Sequence, residues 1–319
     1  MARWHSRITT SRVLMLMAAL VVQIVLWTVL SAIDTKTGQW HWPTFIRWYT
    51  AKSIGGAIAV NLILSVGMTF VIIGGGIDLS VGRLIALTSV VLVLVANATG
   101  SFAAGLAAGL ATGAAAGFFN GFVSVRFGVP SFVTTLGTMI LARGLALAVA
   151  GGQSIGSAFT PATVLQQFLP MTVSLAVMVA GHVLLVRTVF GRHVFAVGGN
   201  LETARLCGVR VMRVRILTFA LSGLCAGLAG LVQWLRLPYG DPLVGDGYEL
   251  YAIAAVVIGG TSLSGGRGNV VGTFLGALIM GVLKYGLDSV SVPERWQFVI
   301  IGLVLIATVL ADRLKRTSE

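Results

Sequence analysis

The chain has 319 residues, of which 56% are hydrophobic and only 10% are charged, and its mean hydropathy is +0.95. Soluble domains carry about 45–50% apolar and about 25% charged residues, so this composition argues against a soluble enzyme, a disordered chain and a free nucleic-acid-binding protein. The net charge of +12 lies mostly between apolar runs, as loop charges do in membrane proteins.

The apolar runs predict an all-α integral membrane protein. A spanning helix needs about 20 mostly apolar residues, and about ten runs approach that length. They are 13–31, 54–76, 80–97, 102–123, 131–150, 169–186, 216–236, 248–263, 270–287 and 296–311.

The runs also divide the chain. We expect a basic tail at 1–12, one polytopic domain at 13–311 and a second short tail at 312–319. The first run is not interpreted as a signal peptide, because it is long and no small-residue cleavage site follows it. The run 248–263 is short, which indicates a tilted or incomplete span.

Lys and Arg favour the cytoplasmic ends of spans. With a cytoplasmic N-terminus, ten spans return the C-terminus to the same side, and the basic residues collect there, among them Arg83 and those of 187–215. Most acidic residues then lie outside, namely Asp34, Asp241, Asp246, Glu249, Asp288 and Glu294. The distribution of charge therefore indicates that both termini are cytoplasmic. It also explains the positive net charge without a nucleic-acid partner.

Two Gly-rich segments interrupt the apolar runs. VIIGGGIDLSVG (71–82) and VVIGGTSLSGG (256–266) both break at Gly and contain a Leu-Ser step before Gly. Such pairs are typical of discontinuous helices around a translocation site, and Gly-lined turns that let helices pack closely are the alternative. The residues singled out are Gly74, Gly75, Asp78, Ser80, Gly82, Gly259, Gly260 and Ser264.

Asp78 is the main acidic candidate for ion coupling within a span. Its place beside the start of a predicted helix favours a capping role instead.

The loop 187–215 is the one long, strongly basic loop on the inner side, and it contains a short predicted helix. Asn200 suits the N-cap, Glu202 suits the positive helix N-terminus and Gly208 suits the position after the C-cap, so we expect a helix from Leu201 to Cys207. An interfacial helix anchored to anionic lipid and a helix that docks on a cytoplasmic partner both fit this pattern.

The sequence contains no GxxxxGK[ST] phosphate loop, no HExxH motif and no paired-cysteine motif. Cys207 and Cys225 fall in different environments, so no disulfide is expected. We therefore expect neither an enzyme nor a bound cofactor or metal ion. A Gly-rich bundle of this kind can still move a solute if another protein supplies the energy. We expect that protein to act on the membrane bundle through the helix of 201–207.

Four segments in register carry a family resemblance. GGGIDLSVG (74–82), GVPSFVTTLG (128–137), GRHVFAVGGNLETARLCGV (191–209) and YELYAIAAVVIGGTSLSGGRG (248–268) resemble the permease subunits of ribose/xylose/galactose-type bacterial ABC importers. The resemblance runs from about residue 55 to the C-terminus, with departures at Gly76 and Arg83.

The resemblance implies a permease in the bacterial inner membrane that forms the sugar path as a pair of identical or paralogous copies. It also implies a periplasmic sugar-binding protein and a cytoplasmic ATPase, commonly with two fused nucleotide-binding domains. The segment 198–209 matches the family's coupling segment. The coupling residues are Gly198, Gly199, Asn200, Leu201, Glu202, Ala204, Arg205 and Gly208.

A path for a neutral sugar would use hydroxyl and amide groups. The candidates are Asn61, Ser65, Thr69, Asn120, Thr134, Thr135, Thr138 and Gln233. Each has hydrogen bonding between helices as its alternative role. The outer acids Asp241, Asp246 and Glu249 either meet a basic rim on the binding protein or form a solvated loop. The alternative functions are a passive or secondary transporter that acts alone and a membrane scaffold or receptor.

Overall fold

A computed structural model describes residues 10–32 and 48–317. The helices in these ranges are α1 (Thr10–Ser31), α2 (Trp48–Ile73), α3 (Val81–Thr99), α4 (Phe102–Arg126), α5 (Ser131–Ala150), α6 (Thr163–Arg187), α7 (Val189–Gly199), α8 (Leu201–Leu206), α9 (Val211–Arg236), α10 (Tyr248–Ile258), α11 (Val270–Ser289) and α12 (Glu294–Thr317). Two short strands, β1 (Ile155–Gly156) and β2 (Tyr239–Gly240), pair antiparallel.

The predicted all-α membrane bundle is confirmed. In the described ranges, eight helices are long and apolar enough to cross a membrane, and these are α1 to α6, α9 and α11. The predicted span 296–311 lies within α12. Helices α1 and α12 extend beyond the predicted limits 13 and 311, while residues 1–9 and 318–319 lie outside the described ranges.

The centre of the bundle is built on α2, α3 and α9. In the apolar stretch of α2, 94% of the residues are buried, whereas the corresponding share is 11% in α1 and 22% in α4 and α6. Large buried side chains such as Ile63, Phe70, Leu84 and Phe219 fill this centre. The outer helices expose apolar side chains, as expected where lipid is the solvent.

Glycine allows α4 and α9 to approach closely. Every fourth residue of α4 from Gly105 to Gly121 is a buried Gly, and a Cβ at Gly113 would overlap the carbonyl oxygen of Gly223 on α9. Small residues at this spacing bring helix backbones into van der Waals contact in membranes. The position of α9 against the core therefore depends on this stripe.

Helix α10 is too short to cross a bilayer by itself. It has 11 residues, which is about 16 Å at 1.5 Å per residue, whereas the hydrocarbon core of a bilayer is about 30 Å thick. The predicted span 248–263 is thus incomplete, because the chain turns at Gly259 and Gly260 and enters the connection 261–268 before α11 begins.

Candidate coupling and translocation site

Helix α8 has the two end structures that the sequence predicts. Oδ1 of Asn200 accepts a hydrogen bond from the backbone N–H of Thr203 at 2.9 Å. After the helix, Gly208 has φ +79°, and its N–H and that of Val209 donate to the carbonyl oxygens of Arg205 and Ala204, each at 3.0 Å. This is a Schellman motif, in which Gly adopts the left-handed conformation at low cost. The helix ends at Leu206, one residue before the predicted end.

One face of α8 is buried and the other is free. Ala204 is 4% exposed and packs against α7 and α9, whereas Leu206 is 87% exposed. Glu202 and Arg205 also lie on the exposed side, 3.6 Å apart between Oε1 and Nη1. Ala204 therefore faces this chain's own core. Leu206, the most exposed large apolar residue among those described, was not among the residues predicted from the sequence.

Gly198, at the end of α7, lies in a junction of three segments. A Cβ on Gly198 would overlap the carbonyl oxygen of Ile73, the last residue of α2, and would come within 2.7 Å of the backbone nitrogen of Gly266. That nitrogen donates a hydrogen bond to the same Ile73 oxygen at 2.9 Å. We call Ile73, Gly198, Gly265 and Gly266 the glycine junction. In contrast, a Cβ on Gly199 would meet nothing within 4 Å.

The junction brings together segments that are far apart in the sequence. Gly74 and Gly75 directly follow Ile73, and Gly75 has φ +79°. Gly259 packs against the first turn of α11 at Gly272 and Thr273, and the carbonyl oxygen of Gly260 accepts from Nη1 of Arg12 at 3.3 Å. Ser264 is exposed in the same connection. Both Gly-rich segments thus meet the segment that carries α8.

Asp78 does not cap α3, contrary to the expectation, because the N-cap residue is Ser80 and no side-chain capping bond forms there. Asp78 is fully buried, and its Oδ1 accepts hydrogen bonds from the backbone N–H of Ser80 at 3.0 Å and from Ser80 Oγ at 2.6 Å. Asn120 donates through Nδ2 to Ser80 Oγ at 2.9 Å, and Thr138 donates to Asn120 Oδ1 at 2.6 Å. This chain of polar groups ties the 76–80 connection to α4 and α5.

Seven of the eight candidate path residues fall into two buried groups, and Gln233 on α9 belongs to neither. Asn61, Ser65 and Thr69 lie on one face of α2, where the hydroxyls of Ser65 and Thr69 bond carbonyls one turn back and Thr69 also bonds Thr273 of α11 at 2.8 Å. Asn120 and Thr138 join Ser80 as described above, while Thr134 and Thr135 bond backbone carbonyls. Gln233 accepts from Arg236 at 3.5 Å. In this conformation the two groups serve helix packing, and a role in the sugar path stays a prediction.

Arg83, which the count of loop charges assigns to the inner surface, is a buried residue beside the loop that precedes α10. Its Nη2 pairs with Oδ1 of Asp246 at 2.6 Å, and its Nη1 donates to the carbonyl oxygen of Leu243 at 3.2 Å. Gly82 lies against Gly245 and Glu249, so α3 begins where α10 begins. Residues 74–80 join the end of α2 to the start of α3, and on the way the N–H groups of Ile77 and Leu79 donate to the hydroxyls of Ser131 and Thr135 on α5.

The three acidic residues Asp241, Asp246 and Glu249 therefore do not form one solvent-exposed cluster. Glu249 is 8% exposed and Asp246 is paired with Arg83. Asp241 accepts from the backbone N–H of Leu243 at 2.9 Å within its own turn. In the described part of the chain, no three His, Cys, Asp or Glu side chains are grouped to hold a metal ion.

Comparison with known proteins agrees with this architecture. A family model described as branched-chain amino acid transport system / permease component matches residues 50–309. The ribose import permease protein RbsC of Escherichia coli (strain K12) is 37% identical over 284 residues, which cover 86% of this chain and 88% of that protein. RbsC of Bacillus subtilis (strain 168) is 41% identical over 282 residues, which cover 86% and 87%.

A relative named for another sugar matches equally well over its length. The L-arabinose transport system permease protein AraH of Escherichia coli (strain K12) is 37% identical over 283 residues, which cover 87% of this chain and 86% of that protein. No solved structure matches the chain significantly. The family match, the identities and the bundle of spanning helices confirm the resemblance, and the chain belongs to this family of transport-system permeases.

Proposed function

We propose that the chain is the membrane-spanning permease subunit of an ABC importer for a monosaccharide. A periplasmic binding protein delivers the sugar, and a separate cytoplasmic ATPase drives the transport. Relatives named for ribose and L-arabinose support the sugar class. The single observation that carries the proposal is the doubly capped helix α8, which presents a free face and connects through α7 to both Gly-rich segments.

The ATPase docks on the exposed face of α8 in this proposal. Leu206 offers an apolar contact, and Glu202 and Arg205 flank it with opposite charges. Partner recognition of this kind places an apolar side chain in a groove and charges around it. The docking residues are therefore Glu202, Arg205 and Leu206, while Asn200, Ala204 and Gly208 hold the helix in place. The family resemblance supports an ATPase with tandem nucleotide-binding domains.

Movement of α8 passes to the translocation path through the glycine junction. Backbone atoms of Gly198, Ile73 and Gly266 touch without side chains between them, and packed backbone does not compress. A shift of α7 and α8 therefore moves the end of α2 and the connection before α11 together. The ATPase shifts the equilibrium between outward-open and inward-open states only by its difference in affinity for the two.

The working unit is a pair of permeases in the bacterial inner membrane, with both termini in the cytoplasm. Two copies of this chain, or this chain and a paralogue, form the path. The polar groups on α2 (Asn61, Ser65, Thr69) and around Ser80 (Asn120, Thr134, Thr138) are the candidates that line it after a conformational change.

Reconstitution tests the proposal. The permease is placed in proteoliposomes with a tandem ATPase and a sugar-binding protein from the same organism, and uptake of radiolabelled ribose and L-arabinose is measured. We expect uptake only when ATP, ATPase and binding protein are all present. Uptake by the permease alone would instead establish the stand-alone transporter, and absence of both uptake and sugar-stimulated ATP hydrolysis would contradict an importer.

A further inference from the structure

A cavity of about 220 Å³ lies where α10 begins, between α11 and the first turns of α12. It is bounded by the loop before α10 and by Tyr248, Tyr251, Lys284, Glu294, Gln297 and Phe298. This space is somewhat smaller than the roughly 300–1,000 Å³ of pockets that hold drug-sized ligands. It therefore has the scale of one small sugar rather than of an oligosaccharide.

The polar groups of this cavity have unused hydrogen-bonding capacity. Lys284 Nζ lies 5.1 Å and 5.2 Å from the ring centres of Tyr248 and Tyr251. Among the described residues, it makes no ion pair, and neither tyrosine hydroxyl has a hydrogen-bond partner. The Glu294 carboxylate likewise makes no ion pair there. Donors and an acceptor thus line the same small space without satisfying one another.

Gln297 is a fixed part of the wall. Its Nε2 donates to Asp288 Oδ1 at 2.7 Å and to the carbonyl oxygen of Val292 at 2.9 Å. Both bonds orient the amide and leave its Oε1 as an acceptor. Gln297 and Tyr251 are each 7% exposed, so these groups do not depend on a mobile surface side chain for their position.

The residues that line the cavity carry charges of both signs, with Lys284 facing the same space as Glu294. Asp246 is already paired with Arg83 at 2.6 Å, and Asp288 is bonded to Gln297. A neutral polyol uses both the donors and the acceptors of such a lining. The ring of Phe298 supplies apolar wall for the C–H groups of such a ligand, as in most small-molecule sites.

We infer that this cavity is a binding site for a neutral monosaccharide within the permease itself. The inference rests on the proposed function and assigns to this chain a direct contact with the sugar. Lys284 and the tyrosine hydroxyls donate to sugar oxygens, and Glu294 and Gln297 accept from sugar hydroxyls. The site lies beside the Arg83–Asp246 pair, so an occupied cavity contacts α10 directly and α3 through that pair.

Sugar binding to the full-length permease in lipid nanodiscs, without ATPase or binding protein, tests this site. Equilibrium dialysis with radiolabelled D-ribose and L-arabinose measures the affinity of the wild type and of Lys284→Gln, Glu294→Gln and Tyr251→Phe. Arg295→Gln is the matched control, because Arg295 is exposed next to Glu294 and does not line the cavity. Thermal unfolding of each variant checks that the fold is retained.

We expect saturable binding of at least one sugar to the wild type and to Arg295→Gln. Lys284→Gln and Glu294→Gln should each weaken it about tenfold, which is 1.4 kcal/mol, and Tyr251→Phe should weaken it several-fold. Equal affinities in the wild type and the three cavity variants, or no saturable binding to the wild type, would overturn the inference. Because this assay needs neither partner protein, its failure is distinct from a failure of ATP-driven uptake.

Discussion

Gly198 occupies a position that accepts no side chain larger than hydrogen. A Cβ there would overlap a carbonyl oxygen of α2, whereas the neighbouring Gly199 has open space around it. In an exposed helix, replacing Gly by Ala stabilises by about 1 kcal/mol. The opposite sign is expected at Gly198, because overpacking costs about 1–3 kcal/mol. The two adjacent glycines therefore have different structural roles.

Gly198→Ala should reduce ATP-driven sugar uptake in proteoliposomes about tenfold or more, which corresponds to 1.4 kcal/mol or more. The ATPase should still co-purify, because the exposed face of α8 is unchanged, and ATP hydrolysis should lose its dependence on sugar. Gly199→Ala is the matched control and should transport normally. Full uptake by Gly198→Ala would contradict the proposed transmission through the glycine junction.

At the scale of elements, α8 is held in place at both ends and on one face, and its opposite face is exposed. The N-cap at Asn200 and the Schellman motif at Gly208 fix both ends of a six-residue helix, a length at which an isolated helix is not stable in water. Ala204 then packs inward and Leu206 is left in solvent. An exposed leucine by itself is ordinary, but here it stands on a helix whose position is fixed.

Leu206→Ser should weaken the association of the permease with its ATPase about tenfold, since burial of a leucine side chain contributes about 1.5–3 kcal/mol. The melting temperature of the permease should not change, because Leu206 makes no core contact. Affinity is measured by titrating the ATPase onto the permease in nanodiscs. An unchanged affinity would exclude this face of α8 from the interface.

The variant Ala204→Leu tests whether Ala204 holds α8 against the bundle or contacts the ATPase directly. Ala204 is buried against α7 and α9, so a larger side chain should displace α8 and lower both the thermal stability of the permease and its affinity for the ATPase. A variant with normal stability and selectively lost affinity would show that position 204 contacts the partner directly.

The close contact between α4 and α9 also depends on glycine, because a larger residue at these positions would push the two helices apart. Gly113→Ala should lower the free energy of unfolding by about 1–3 kcal/mol, because its Cβ overlaps Gly223. Gly144→Ala on α5 is the control, since the new Cβ would have no atom within 4 Å, and it should leave stability unchanged or slightly raised. Thermal unfolding in detergent compares the two, and equal melting temperatures would contradict a close α4–α9 contact in the membrane.

For the whole molecule, the two native cysteines report the orientation. Cys207 is exposed directly after α8, and Cys225 is buried within α9. A membrane-impermeant maleimide should therefore label Cys207 in inverted vesicles and leave it unlabelled in intact spheroplasts, with Cys225 unlabelled in both. A Cys207→Ser variant identifies the labelled site. Labelling of Cys207 from the periplasmic side would reverse the proposed topology and remove α8 from the cytoplasmic ATPase.

The sequence by itself determined the class of protein and the local structure of its short helix. Spans follow from runs of apolar residues because lipid requires it, and the caps of α8 follow from Asn200 and Gly208 because cap preferences are local. These features need information from only a few neighbouring residues.

Only the tertiary structure decided which distant segments meet. The contact of Gly198 with Ile73 and Gly266, the pairing of Arg83 with Asp246 and the cavity between α10, α11 and α12 each join residues far apart in the chain. Counting charges between spans assigned Arg83 to a surface loop, because such a count assumes that every connection stays at the membrane surface. Arg83 is instead 4% exposed, and residues 76–80 before it pack against α4, α5 and α9. No local pattern in the sequence specifies those contacts.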